Sequence, residues 1–147
     1  MIIREIENLM LFGLSTVTNN KNESNPETAK IVKLWEDYEE KNIYGATFNK
    51  SKKFDMYGVY SDYESDVNGD YKVTIAVEVT KPKNAMIIKK QRYLVFKKEG
   101  ELPEIVAETW KEIWDYFENE PKYERDYAID FEKYSKENFV EIYISIK

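Results

Sequence analysis

Asp130-Phe131-Glu132, followed by Phe139-Val140-Glu141-Ile142-Tyr143-Ile144-Ser145-Ile146, repeats an arrangement already present in the first half of the chain. There Asp62-Tyr63-Glu64 precedes Tyr71-Lys72-Val73-Thr74-Ile75-Ala76-Val77-Glu78-Val79, and a single offset of 68 residues superposes both pairs. A helical pattern containing tryptophan comes before each copy. Two like modules packed side by side leave a groove along their pseudo-twofold axis. Glutamates beside aromatic rings in such a groove would suit a cationic guest.

Side chains alternate across a strand, so the closing segments can be split into faces. Val140, Ile142, Ile144 and Ile146 form one aliphatic face, expected beneath a helix, and Glu141, Tyr143 and Ser145 share the other. In the first copy Val73, Ile75, Val77 and Val79 are aliphatic, with Lys72, Thr74, Ala76 and Glu78 opposite. The two parities disagree by one residue under the offset of 68. A one-residue slip moves every side chain to the other face, so the aliphatic faces outrank the alignment. On that choice Glu141, Tyr143 and Glu78 all point away from the helices. Asp130 and Glu132 are then expected to be exposed, or paired with Arg125 or a lysine.

The rest of the chain fits around these segments. Residues 9–18 read as a buried strand with Gly13 as a bulge, and residues 19–24 as a polar loop. Asn25-Pro26-Glu27 reads as a helix start, and Ile31, Leu34, Trp35 and Tyr38 recur at helical spacing up to about Lys41. Residues 43–53 read as irregular. Tyr57-Gly58-Val59-Tyr60 opens a strand, Val67-Asn68-Gly69-Asp70 is a turn, and Lys81-Pro82-Lys83-Asn84 is the break between halves. Residues 92–97 form the next strand. Pro103 starts a helix to about Glu118 that carries Val106, Trp110, Ile113, Trp114 and Phe117 on one face, and residues 126–134 and 139–147 are the last strands. The expected fold is therefore α+β, a duplicated β-α-β-β unit with an antiparallel sheet and two main helices on one face. One domain spans residues 1–147, with repeats of about 1–81 and 85–147 sharing a joint core.

Composition narrows the chemistry. The 147 residues contain no Cys and no His, which excludes disulfides, thiol nucleophiles, Ser-His-Asp triads and zinc sites of the usual kinds. No metal or cofactor is expected. A net charge of −6 disfavours nucleic acid and anionic membranes, which call for a basic patch. The opening Met1-Ile2-Ile3-Arg4-Glu5-Ile6-Glu7 lacks the basic start of a signal peptide, and no apolar run approaches the roughly 18 residues of a membrane span. The expected location is the cytoplasm. With 12 Tyr, 7 Phe and 3 Trp, the chain has more rings than its strands need for packing, enough to line a cleft as well.

The string Tyr57-Gly-Val-Tyr-Ser-Asp-Tyr-Glu-Ser-Asp-Val-Asn-Gly-Asp-Tyr71, with Val73-Thr-Ile-Ala-Val-Glu-Val79, resembles the GyrI-like small-molecule-binding domains. The resemblance is closest to stand-alone effector-binding proteins of integron cassettes. Phe12-Gly-Leu-Ser-Thr-Val-Thr-Asn19, Leu34-Trp35, Trp110-Lys-Glu-Ile-Trp114, Tyr127, Asp130-Phe-Glu-Lys-Tyr134 and the closing Val140-Glu-Ile-Tyr-Ile-Ser-Ile-Lys147 extend it over nearly the whole chain. It implies the same duplicated fold, of the SHS2 type, and the role of the ligand-sensing half of multidrug-responsive transcription regulators. There an acidic residue in an aromatic cleft receives lipophilic cations. The implied site residues are Glu141 and Tyr143, which match the closing Glu-x-Tyr, together with Glu78, Tyr127, Trp110 and Tyr60. Ala76 stands where relatives usually have Gly, and the chain carries no helix-turn-helix. A separate DNA-binding regulator is then a candidate partner, and the protein itself a monomer or homodimer.

The preferred function is therefore binding of lipophilic cationic small molecules, for sensing or sequestration, rather than catalysis. Two alternatives come with the resemblance. One is a hydrolase of electrophilic genotoxic compounds, with Glu141 as base for water and Tyr143 as proton donor. The other is a gyrase-inhibitor-like protein partner.

Overall fold

The computed structural model describes residues 1–51 and 55–147. In chain order the elements are β1 (Ile2–Thr18), α1 (Asn20–Glu23), α2 (Ile31–Glu40), α3 (Ile43–Ala46), β2 (Met56–Ser61) and β3 (Tyr71–Glu78). The second half continues with β4 (Met86–Glu99), α4 (Glu104–Glu118), β5 (Asp130–Tyr134) and β6 (Phe139–Ser145). All strand pairs are antiparallel, and the order β1-β3-β2-β5-β6-β4 closes into a barrel where β4 meets β1. The order is itself duplicated. β3 lies between β1 and β2 as β6 lies between β4 and β5, and the halves join through the β1–β4 and β2–β5 pairings. No helix among the described residues is long and apolar enough to cross a membrane.

Alternation along each strand sorts the residues into three cores. Inside the barrel, Leu11, Tyr57, Val59 and Ala76 of the first half meet Ile88, Tyr93, Val95, Phe131 and Tyr143 of the second. Outside it, α4 buries Ile105 and Ile113 on Val140, Ile142, Ile144 and Ile146. In parallel, α2 buries Leu34 and Tyr38 on Tyr71, Val73 and Ile75. The aliphatic faces of β3 and β6 thus lie under helices, as their pattern predicts. Odd-numbered residues of β3 and even-numbered residues of β6 share that role, so an offset of 68 cannot describe the structural repeat. The two Asp-aromatic-Glu segments are not equivalent: Asp62-Tyr63-Glu64 lies in the connection after β2, whereas Asp130-Phe131-Glu132 opens β5.

Several boundaries differ from the sequence expectation, each for a local reason. β1 begins at Ile2 and β4 at Met86, because their long antiparallel pairing carries polar residues that leave no apolar run to read. α2 begins at Ile31 rather than at Pro26. The Asn25 side chain accepts from the Glu27 N–H, and the Thr28 and Ala29 N–H groups donate back to the Asn25 carbonyl, closing a turn. The cap comes instead from Glu23 of the short α1, whose carboxylate accepts from the Lys30 and Ile31 N–H groups at 2.9 and 3.2 Å. Residues 43–46 of the stretch read as irregular form α3, and residues 52 and 53 of it lie outside the described residues.

β1 also changes face midway. Asn8 has φ of 56°, in the left-handed region that Asn tolerates, and as a result both Ile6 and Leu9 pack inward. Gly13 is not a bulge, since its register with β3 is unbroken. It permits close approach instead: a Cβ there would lie 1.7 Å from the Ile75 carbonyl oxygen. Gly13→Ala should therefore part β1 from β3 and lower stability by about 2 kcal/mol or more, read from the midpoint of urea unfolding.

Candidate functional site

The helices leave a cleft between α4 on one side and α1 with the start of α2 on the other, floored by β2 and β3, with a volume of about 220 Å³. Its lining is dominated by six aromatic rings that touch in sequence. Tyr127 meets Tyr63 (centroids 5.5 Å apart), Tyr63 meets Tyr71 (6.0 Å) and Tyr71 meets Tyr60 (5.7 Å). Tyr60 then meets Trp110 (5.3 Å), and Trp110 meets Trp114 (6.1 Å). Most contacts are edge-to-face or tilted, the arrangement that a ring quadrupole favours. Trp114 remains 41% exposed and marks the rim. The chain of rings draws on both halves of the molecule, so neither half alone could form it.

Behind this wall lies one carboxylate. Glu132 on β5 is buried, and it accepts from the Tyr60 hydroxyl (2.8 Å) and Trp110 Nε1 (2.7 Å) on Oε2, and from the Tyr134 hydroxyl (2.7 Å) on Oε1. Gly58 sits opposite it in the β2–β5 pairing, and a Cβ at that position would come within 2.7 Å of Glu132 Oε1. Burial pushes the Glu132 pKa above the ordinary carboxylate range, and the three donors offset part of that rise. Burial likewise pushes the Tyr60 and Tyr134 hydroxyls far up, with the Glu132 charge adding to it, so both remain protonated donors. Glu132 makes no ion pair among the described residues.

A second buried carboxylate is fully neutralised. Asp130 accepts from Arg125 Nη2 (2.7 Å) and the Tyr63 hydroxyl (2.6 Å) on Oδ2, and from the Ser145 N–H (2.7 Å) and hydroxyl (2.8 Å) on Oδ1. The Arg125 guanidinium in turn lies 4.3 Å from the Tyr127 ring centroid. This pair anchors Tyr63 and Tyr127, the far end of the aromatic wall, and adds no net charge to it.

Tyr60, Trp110 and Tyr127 of the expected site residues come together in this cleft. Glu141, Tyr143 and Glu78 do not: they lie on the inward side of the sheet, away from the helices. Glu141 pairs with Arg4 at 2.9 Å and with Lys97 at 3.7 Å, and Arg4 Nη1 also donates to the Tyr143 hydroxyl. The chain's own guanidinium thus occupies both groups that the hydrolytic alternative would use. Although burial opposes the charge on Arg4, its partners hold its pKa above the ordinary value. Asp130 is paired with Arg125, one of the partners expected for it, but Glu132 is neither exposed nor paired with a cation.

Glu132, expected to be exposed or paired, and Tyr63 and Tyr71 are not among the site residues expected from the sequence. A usable signal was present, because Glu132 and Tyr134 flank Lys133 on the strand face opposite Phe131. With Phe131 assigned to the interior, both must turn toward the helices.

Comparison with known proteins follows the same lines. Residues 2–146 match the model of a family described as integron-associated effector binding protein. The integron cassette protein VCH_CASS2, from the mobile metagenome of Vibrio cholerae, is 32% identical, with a TM-score of 0.86 over 99% of this chain and 95% of its own. YobU of Bacillus subtilis (strain 168), named as a candidate transcriptional regulator protein, is 29% identical over 92% of this chain and 90% of its own. SAV2435, whose structure was solved bound to tetraphenylphosphonium, shares the fold with a TM-score of 0.78 at 19% identity, over 99% of this chain and 93% of its own.

Removing one member of a buried ion pair strands the other. Asp130→Ala is expected to cost about 3–5 kcal/mol of unfolding free energy, whereas Glu124→Ala, at an exposed pair with Lys147, should leave stability almost unchanged. Urea denaturation of the two variants measures the contrast.

Proposed function

We propose, for a chain that belongs to the family of integron-associated effector binding proteins, that the aromatic cleft takes lipophilic organic cations, with Glu132 as the buried counter-charge. The observation that carries this reading is the run of six contiguous rings backed by the buried Glu132, which makes no ion pair among the described residues, with Glu23 and Asp66 in the cleft lining likewise without an ion pair among them. A bulky cation desolvates easily and gains about 0.5–2 kcal/mol from each ring face it covers. The Tyr60 hydroxyl and the Trp110 indole N–H point their positive ends at Glu132, which leaves their ring faces richer in electrons toward the cleft. The guest is thus recognised mainly through rings, with the charge felt from behind. Few directional hydrogen bonds are involved, so selectivity should be broad within one charge class.

The tetraphenylphosphonium held by SAV2435, a protein of the same fold, supports this choice of chemistry. The regulator-like name of YobU supports a place in transcriptional control, with the protein sensing or sequestering an effector and a separate DNA-binding protein carrying out the regulation.

Tetraphenylphosphonium titrated against tryptophan fluorescence tests the reading. Saturable quenching is expected, with affinity at least tenfold weaker in Glu132→Gln and unchanged in Glu141→Gln. Equal affinity in wild type and Glu132→Gln would sink the assignment. The sign of the pH dependence follows from the raised pKa of Glu132. A cation favours the ionised carboxylate, so affinity should fall as pH drops through the titration of Glu132, and this trend should vanish in Glu132→Gln. Without a guest, the folded state holds the Glu132 proton more tightly than the unfolded chain. The cost of burying the charge is therefore present above the folded pKa and is relieved as pH falls toward about 4.5.

A further inference from the structure

A second cavity, of about 370 Å³, opens against the inward face of the sheet, on the side away from α2 and α4. Its floor is formed by Tyr57, Phe131 and Tyr143, and Glu78 and Lys133 stand in its wall. Charges on this side of the sheet pair off almost completely. Arg4 and Lys97 share Glu141, Lys133 lies 3.6 Å from Asp55, and Lys90 lies between Glu5 and Glu7 at the rim. Glu78 is the exception: its carboxylate has neither an ion pair nor a hydrogen bond among the described residues.

Tyr57 adjoins it: the residue is only 2% exposed, and its hydroxyl, open to the cavity, makes no hydrogen bond among the described residues. Of the charges that act on that hydroxyl, Glu78 is the strongest. A phenol and a carboxylate with no protein partner among the described residues thus line one cavity, and both oxygens can accept from a donor placed in it. On this side of the sheet the carboxylates Glu5, Glu7, Asp55, Glu78 and Glu141 face Arg4, Lys90, Lys97 and Lys133, so the named carboxylates outnumber the named cations by one.

The same molecule shows what fits such a pair. A few residues away Arg4 Nη1 donates to Glu141 Oε2 at 2.9 Å and to the Tyr143 hydroxyl, with its guanidinium carbon 5.8 Å from the Tyr143 ring centroid. We propose that Glu78 and Tyr57 form a second ligand site that takes an alkylguanidinium or alkylammonium group, seated as the chain's own Arg4 is seated between Glu141 and Tyr143. The group donates to the Glu78 carboxylate and to the Tyr57 hydroxyl oxygen over the aromatic floor. This site differs from the helix-side cleft in chemistry, since it rewards compact N–H donors rather than bulky apolar cations. The sheet separates the two, so both can be filled at once.

Agmatine titrated calorimetrically into the full chain is the direct test, with butylurea as the neutral analogue. One saturable site for agmatine is expected, with no binding of butylurea and no change when tetraphenylphosphonium is present at saturation. Loss of one charge-assisted contact in Glu78→Gln should weaken agmatine about tenfold. Tyr57→Phe should weaken it several-fold, and both variants should keep the wild-type circular dichroism spectrum. Absence of saturable heat, equal affinity in wild type and Glu78→Gln, or equal binding of butylurea would overturn the proposal. So would competition between agmatine and tetraphenylphosphonium, which would place agmatine in the helix-side cleft. If tetraphenylphosphonium itself fails to bind, the agmatine result still stands alone, because it is read by heat and by variants of the opposite face.

Discussion

The buried carboxylate of Glu132 is the interaction on which the site depends. Its three donors come from three places: Tyr60 on β2 of the first half, Trp110 on α4, and Tyr134 on β5 itself. One anion thereby ties the outer helix to the barrel and one half of the molecule to the other. An unpaired buried charge is costly, and three hydrogen bonds recover only part of that cost. In the function proposed above, that residual cost is what would favour a positive guest.

The barrel makes this arrangement possible by giving the central strands β3 and β6 two buried faces. Inward-facing rings, led by Tyr57, Tyr93, Phe131 and Tyr143, fill the interior, with Phe131 stacked on Tyr143 at 4.4 Å. Outward-facing aliphatic residues then carry the helices. The ring-lined cleft lies outside the barrel, between the helices. The two sides of the sheet also treat charge differently. Toward the helices, Asp130 is neutralised by Arg125 and Glu132 is not. Inside, Arg4 and Lys97 neutralise Glu141, and Glu78 makes no ion pair among the described residues.

The internal seat of Arg4 also shows how a binding motif can be satisfied within the chain. Glu141 and Tyr143 have the residue types that an acidic aromatic cleft needs, and they do bind a cation. That cation belongs to β1, 137 positions away in sequence. A pattern of acid and ring along one strand specifies an affinity for positive charge, and it leaves open whose charge arrives.

The sequence by itself determined the elements and their faces. Alternation at period two and helical spacing are local properties, so the aliphatic sides of β3 and β6, the helices around Trp35 and Trp110, and the duplicated order could all be read from neighbouring residues. Where local pattern was weak the reading fell short. The polar first turns of β1 and the start of β4 are held by pairing across the sheet, and the left-handed Asn8 reverses the alternation without altering composition. The choice between carboxylates belonged to the tertiary structure alone. Glu132 becomes the buried acid because β2–β5 pairing sets Gly58 opposite it and brings the Tyr60 hydroxyl from 72 positions away. Whether an acid on a strand is solvated, paired or left wanting a cation depends on what lies across from it, and only barrel closure decides that.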